Sequence, residues 1–425
     1  VTGRIRILPD ALANRIAAGE VVERPASVIK ELIENSLDAG AQSITVEVRG
    51  AGRQLIKVED DGGGMSPDDL LLSLERYATS KVRSLRDLYA VRTLGFRGEA
   101  LPSIASVSRM SITSSLGNAA PARLVRMEGG VIKKVEDVVR PRGTSVEVRS
   151  LFYNTPARLK FMKSQATERG WIANALQQQA LSRPCVSFNL RMGMRETISA
   201  PPAASIRDRV ASLYGHNLAQ ELVDVELACR ELKVAGLISL PTMSRSSRDM
   251  QFTFVNGRCI RSGLAMNAIA QGYRTLLPRG RHPVVFLYLE LDPSIVDANV
   301  HPAKLEVKFK DYSQIHEAIV EAVVRGLFIG QPASGRAEVT AVARSAAVQR
   351  SIPAREPVPD SEGDASMPQS FSAPARAPAL ERQMRLPVSG GLSALGQVHN
   401  MFIVAGSGEG VIIIDQHTAH ERILY

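Results

Sequence analysis

Apolar residues recur at helical spacing through PASVIKELIENSLDAGA, residues 25 to 41. Val28, Ile29, Leu32, Ile33 and Leu37 line one side, while Glu31, Asn35 and Asp38 fall within a narrow arc of the other. Pro25 suits a first helical turn and Gly40 stands just past the last, so a helix packed on a sheet is predicted here. The pattern then changes period. SITVEV (43 to 48) and QLIKVED (54 to 60) alternate apolar and polar residues around the glycine-bearing turn RGAGR, which predicts two strands. DDLLLSLERYATS (68 to 80) has helical spacing, RMSITSS and GTSVEVRSL resume strand character, and QATERGWIANALQQQALS (165 to 182) predicts a covering helix. Mixed elements in this order give an α+β sandwich.

Strand character returns in ELVDVELACRELKVAGLISL (221 to 240) and MQFTFVNGRCI (250 to 260). A helix through AMNAIAQGYRTLL, a strand VVFLYLEL, a strand KLEVKF and a helix SQIHEAIVEAVVRGLF follow. Residues 331 to 391 lose all period, and Pro353, Pro357, Pro359, Pro368, Pro374, Pro378 and Pro387 interrupt any regular element. Beyond them two strand-like runs flank a glycine-rich turn before DQHTAHERILY. The expected organisation is a first domain over 1 to 216, a second over 217 to 330, a flexible linker over 331 to 391, and the opening of a truncated third domain over 392 to 425.

Composition changes this picture little. With 425 residues, 44% hydrophobic and 22% charged, the chain suits two or three ordinary globular domains. A net charge of +9 admits a polyanionic partner. Cys185, Cys229 and Cys259 are too few and too scattered for a disulfide framework or a zinc site, and no stretch has the roughly 18 apolar residues of a membrane span. The expectation is a soluble cytoplasmic protein with no membrane partner.

Two loops carry chemistry. In VEDDGGGMS, Asp60 ends a strand ahead of Gly62 and Gly64, where a carboxylate can accept the amino hydrogens of adenine and glycine backbone can approach a ligand. In LGFRGEALPSIASV, Gly95 and Gly98 precede a helix start, an arrangement whose exposed amides cradle anions. No GK[ST] follows, so this is not a Walker loop.

Glu31 and Asn35, then Asp60, Gly62 and Gly64, then Gly95 and Gly98, then Thr144 of GTSVEV form an ordered set. It resembles the GHKL (Bergerat) ATP-binding fold shared by gyrase B, Hsp90, histidine kinases and MutL. Longer strings, IAAGEVVERPASVIKELIENSLDAGA, ATSKV, GFRGEAL, LFYNTPARLKFM, FVNGR and DANVHPAKLEVKF, resemble the MutL family of DNA mismatch repair proteins from Ile5 to about Leu327. The resemblance implies a GHKL sandwich followed by a ribosomal-S5-like α/β domain. It implies Glu31 as general base for a Mg-dependent ATPase, Asn35 as Mg²⁺ ligand, and Asp60 with Thr144 on adenine. It further implies a loop of Gly95, Phe96, Arg97, Gly98, Glu99, Ala100 and Leu101 around the phosphates, a lid beginning at Thr79, Ser80 and Lys81, and Lys304 of the second domain on the terminal phosphate. Asp38 is expected near the nucleotide and Glu34 as structural; Asp61 stands where the family often has asparagine, adding negative charge near the nucleotide.

DQHTAHER resembles the metal-binding motif of family members with endonuclease activity, so Asp415, His417 and Glu421 are candidate ligands for Mn²⁺ or Zn²⁺ in a full-length C-terminal domain. No nicking is expected of this chain. Arg258, Arg261, Arg274, Arg279 and Arg281, with Lys160 and Lys163, are candidate contacts to DNA phosphates, sequence-independent and salt-sensitive. The implied partners are MutS, DNA, a sliding clamp, helicase or MutH-type endonuclease, and a second copy of the chain, joined through ATP-dependent N-terminal and constitutive C-terminal contacts. A type II topoisomerase-like ATPase is disfavoured by GFRGEAL and FYNTPAR, a histidine kinase by the lack of an upstream phosphoacceptor helix, and a non-enzymatic DNA-binding scaffold by an intact Glu31.

Overall fold

The computed structural model describes residues 18–19, 21–82, 93–95, 98–117, 121–229, 232–292, 296–297, 308–309, 312–330, 393–398, 402–407 and 410–415. The chain divides into two compact units, Val1–Pro353 and Ala354–Tyr425.

In the first unit α1 (Pro25–Asp38) forms as its period predicts, with Val28, Ile29, Leu32 and Ile33 buried. It leads through β1 (Ser43–Arg49), one 3-10 turn and β2 (Leu55–Asp60) to α2 (Pro67–Leu72). Then come α3 (Ala100–Ser106), β3 (Arg109–Ser115), β4 (Ala122–Glu128), β5 (Val131–Val138), β6 (Gly143–Arg149), α4 (Pro156–Phe161) and α5 (Gln165–Ser182). β7 (Ser187–Met192) and β8 (Arg195–Ala200) complete an eight-stranded sheet of order β5-β4-β3-β6-β2-β1-β7-β8. Its pairs are antiparallel except β1 with β7. Ile44, Val46, Ile56, Val58, Val146 and Val148 face inward onto the core that also buries Ile29, Leu32, Ile172 and Leu176 of α1 and α5. The strand register also gathers polar residues at one end of the sheet: Asp60 lies opposite Thr144, and Thr144 opposite Ser114.

The helix expected over 68 to 80 stops at Leu72. Ser66 caps its start by accepting from Asp69 N at 3.1 Å, but Tyr77 adopts φ 63°, which no right-handed helix accommodates, because its amide donates to the Gly98 carbonyl at 3.1 Å.

α6 (Ile206–Tyr214) and α7 (His216–Gln220) precede β9 (Leu222–Cys229), β10 (Leu232–Ser239), β11 (Ser244–Arg245), β12 (Gln251–Val255), β13 (Arg258–Ile260), α8 (Gly263–Gly272), β14 (His282–Pro283) and β15 (Val285–Leu291). The five-stranded order is β13-β12-β15-β10-β9. The helix expected through residue 277 ends at Gly272, shortly before Thr275 with φ 72°. A short pair, β16 (Val296–Asp297) and β17 (Lys308–Phe309), precedes α9 (Tyr312–Gly330), which packs with α8 on one face of this sheet. The other face shares a core with the first domain's helices: Phe252 stacks on Phe286 at 5.5 Å and Phe254 on Tyr288 at 4.7 Å, beside Leu181 and Val210. Tyr288 Oη donates to the Leu181 carbonyl at 2.9 Å.

The second unit has three antiparallel strands, β18 (Ser393–Val398), β19 (Phe402–Ser407) and β20 (Gly410–Asp415). The linker expected over 331 to 391 lies outside the described residues.

Candidate active site

One end of the site is built from backbone. Asp60 closes β2, and its Oδ1 accepts from Gly62 N at 3.0 Å and Thr144 N at 3.2 Å, while Oδ2 accepts from Ser36 Oγ at 2.7 Å. A carboxylate offers about four lone-pair positions. Three are taken, leaving one for a further donor such as an exocyclic amine. Thr144 Oγ1 pairs with Ser114 Oγ at 3.0 Å, and Ser114 Oγ accepts from Met65 N at 2.8 Å, tying the Gly62–Gly64 turn to the sheet. Gly64, with φ 70°, passes so close to Ser115 that a Cβ would sit 2.0 Å from its carbonyl oxygen. Asp61 turns its side chain to the start of β1. Its Oδ1 accepts from Gln42 N at 2.7 Å and Ser43 N at 2.9 Å, so its charge caps the entry to β1.

The other end is built from side chains. Glu31, Asn35 and Asp38 share the half-buried face of α1, as their spacing predicts. Lys81 Nζ donates to Asn35 Oδ1 at 2.9 Å and to Asp38 Oδ2 at 2.6 Å. Asp38 also accepts from Leu94 N at 2.8 Å and Gly95 N at 3.0 Å. A methyl on Gly95 would approach Lys81 Nζ to 3.1 Å and the Asn35 and Asp38 oxygens to 3.6 Å, so this loop lies directly against the polar face of the helix. Thr79 Oγ1 accepts from Lys81 N at 3.2 Å, Ser80 is exposed, and Arg76 pairs with Glu99 at 3.3 Å. Ala100 and Leu101 open α3. Phe96, Arg97 and Lys304 lie outside the described residues.

Sequence reasoning missed Ser36 and Ser114, which brace Asp60 and Thr144. Ser36 sits on the buried side of α1, where a serine has no motif to betray it. Glu34, expected to be structural, is buried with Lys30 at 3.4 Å and Gln179 Nε2 at 3.4 Å.

Residues 23–148 match the family model for histidine kinase-, DNA gyrase B- and HSP90-like ATPases. Residues 210–327 match that for the DNA mismatch repair protein C-terminal domain, and 395–425 that for the MutL C terminal dimerisation domain. The DNA mismatch repair protein MutL of Geotalea daltonii is 42% identical over 444 residues, covering 99% of this chain and 74% of the relative. That of Geobacter sulfurreducens is 43% identical over 449 residues, with the same two coverages. The chain belongs to the MutL family of DNA mismatch repair proteins. A solved structure, the Aquifex aeolicus MutL ATPase domain complexed with ADP, matches with a TM-score of 0.51 and 27% identity over 70% of this chain and 98% of that one. This MutL-family chain therefore carries a GHKL ATPase domain of α+β class, an ATP-hydrolysing fold, and part of a homodimerisation domain.

One residue assigned to DNA by its charge needs correcting. Arg258 is half-buried rather than exposed: its guanidinium donates to the Thr93 carbonyl, between β13 and the loop before α3. Burial pushes its pKa below the arginine norm against the opposing charges of Glu34, Asp38 and Glu31. Lys160, Lys163, Arg261, Arg274, Arg279 and Arg281 are exposed, the last also donating to Ser244 Oγ at 3.1 Å. Asp415 ends β20, whereas His417 and Glu421 lie outside the described residues. Among the described residues no group of three or more His, Cys, Asp or Glu could hold a metal ion, and no helix is long and apolar enough to cross a membrane.

Proposed function

We propose that this chain binds ATP along α1, with adenine at Asp60 and the phosphates at Asn35, Asp38 and the Gly95 loop, and hydrolyses it with Glu31 as general base. The observation that carries this reading is the single remaining acceptor position on Asp60, braced through Ser36 against the C-terminal turn of α1, whose neighbouring face presents carboxylate, amide oxygen and glycine-loop amides together. Glu31, free of the Lys81 pairing that engages its two neighbours, takes the proton of the attacking water. Leu94 and Gly95 amides exchange Asp38 for phosphate oxygens, and Lys81 follows them as a charge partner. Asn35 Oδ1 suits Mg²⁺, since it and Asp38 already hold a cation, the Lys81 ammonium. The ion would neutralise charge on the phosphates.

Nucleotide binding in turn favours pairing of two N-terminal regions and signals between MutS at a mismatch and downstream strand removal, in the cytoplasm and on DNA. Lys160, Lys163, Arg261, Arg274, Arg279 and Arg281 supply salt-sensitive, sequence-independent DNA contacts.

Glu31→Ala tests the chemistry. Turnover is expected to fall about 100- to 10,000-fold, the range for loss of a general base, while nucleotide affinity by equilibrium titration stays within about twofold. Unchanged turnover removes Glu31 from the role.

A further inference from the structure

Arg258 follows the two-residue turn Asn256–Gly257, whose φ values of 49° and 77° belong to the tight hairpin turn that Asn-Gly favours. The hairpin is anchored in its own domain. Asn256 Nδ2 donates to the Leu291 carbonyl at 3.0 Å, and Asn256 Oδ1 accepts from Leu291 N at 2.9 Å, so one side-chain amide extends the pairing of β15. The tip is pressed on the other domain: a Cβ at Gly257 would lie 2.2 Å from Arg183 Nη1, at the end of α5.

Beyond the tip, Arg258 Nη2 donates to the Thr93 carbonyl. Thr93 Oγ1 donates to the Gly95 carbonyl at 2.7 Å, and the Leu94 and Gly95 amides reach Asp38. Hydrogen bonds joined by short stretches of backbone thus lead from Leu291 beside the hairpin to the polar face of α1. The guanidinium also lines a cavity of about 10 Å³ with Lys30, Glu34, Leu94, Gln178, Gln179, Gly257 and Cys259, and its Nη1 is buried without a hydrogen-bond partner among the described residues. A charge desolvated in this way is held by fixed carboxylates, here those of α1.

We propose that Arg258 is a positioning residue for ATP binding: from the second domain it fixes the Thr93 carbonyl, and so aims the Leu94 and Gly95 amides at the phosphate position. This rests on the reading of residues 93 to 95 as a phosphate loop. The transducer hairpin is then felt at the nucleotide without touching it, and by reciprocity nucleotide binding stiffens the hairpin.

The test measures ATP kinetics without DNA, equilibrium binding of a nonhydrolysable ATP analogue, DNA affinity across a salt series, and melting temperature. Arg258→Met is expected to raise the KM for ATP and the analogue Kd about tenfold, with kcat falling less than threefold and the salt dependence of DNA binding unchanged. Arg258→Lys, which keeps a donor for the Thr93 carbonyl, is expected to recover at least half of the lost affinity; it also serves if the methionine variant does not fold. The proposal is overturned by unaltered nucleotide affinity in Arg258→Met, or by a lysine variant that folds as the parent does yet binds nucleotide no better than methionine. A shallower salt slope for DNA with parental ATP kinetics would return Arg258 to the DNA surface. Asp60→Ala separates the two levels. If it binds nucleotide normally, the nucleotide reading itself fails; if it loses binding while Arg258→Met keeps it, only the positioning role fails.

Discussion

The two halves of the site, both gathered at the C-terminal turn of α1, solve the same problem in opposite ways. At Asp60 the polar atoms are met by backbone amides of paired strands and by two buried serines, so the acceptor geometry is part of the sheet. At Asn35 and Asp38 the polar atoms are met by a lysine ammonium on a long flexible stem and by amides of a glycine loop. The first arrangement keeps one acceptor position for a base and needs no rearrangement. The second satisfies itself, and must exchange partners before phosphate can enter. On the proposed reading, recognition is thus built into the fold, while the step that costs free energy sits where the phosphates would bind.

The sharpest way to break this contrast is Asp60→Ala. On the proposed reading it removes the adenine contact, and it leaves the Gly62 and Thr144 amides without that acceptor while the Ser36 hydroxyl turns to the Leu32 carbonyl, so nucleotide affinity should fall about 100-fold or more, roughly 3 kcal/mol. Discrimination of ATP from GTP, measured by competition, should vanish with it. Equal affinity in variant and parent would mean the braced end is only a strand terminus.

Asp60 was legible because an acidic residue at a strand end before spaced glycines is a chemical pattern. Ser36 was not, since its role depends on α1 packing over the strand end where register pairs Asp60 with Thr144. Arg258 was misread for a related reason: charge in a sequence signals solvent unless a turn is known to bury it, and only the packed Asn256–Gly257 hairpin does so. The β4–β5 hairpin escaped notice because β5 is an edge strand whose Val131, Ile132 and Val135 stay exposed, leaving no buried period to read. By contrast α1 and α5 carry full amphipathic or capping signals and begin and end where expected.

Lys81→Met probes the self-satisfied end. Asp38 is only 7% exposed in its side chain, and losing its ammonium partner should lower stability without nucleotide by about 2 kcal/mol, between the values for exposed and fully buried pairs. Thermal unfolding with and without an ATP analogue reads it. The deficit should grow when the analogue is bound, because Lys81 is then lost to both the phosphate and Asp38, which has given up its loop amides; a deficit independent of nucleotide would show that the two halves behave alike.

The smallest effect lies behind that end. Cys259 lines the same small cavity as Arg258, and burial pushes its thiol up to about 12 from an ordinary 9.0. The folded thiol keeps its proton at pH values where an unfolded one loses it. Iodoacetamide with peptide mapping should label the exposed Cys185 and Cys229 and spare Cys259 up to pH 9 or so. Its stabilising contribution is complete below pH 9 and declines as the pH rises towards 12. Labelling of all three at similar rates would show that the hairpin opens readily.

The parallel pairing of β1 with β7 has a kinetic consequence. Ser43 meets Ser187, and α1 rests on α5, with Arg24 over the Trp171 ring at 4.2 Å and Gln179 against Glu34. A chain emerging from the ribosome presents the apolar flank of α1 long before residues 165 to 192 exist to cover it. Closing that long-range contact is slow compared with forming the local hairpins, so α1, which can meet β1 and β2 early, gains its α5 neighbour late. During synthesis the exposed Val28, Ile29, Leu32 and Ile33 make this segment the natural target for chaperones, and weakening the α1–α5 contact should lower soluble yield before it lowers catalysis.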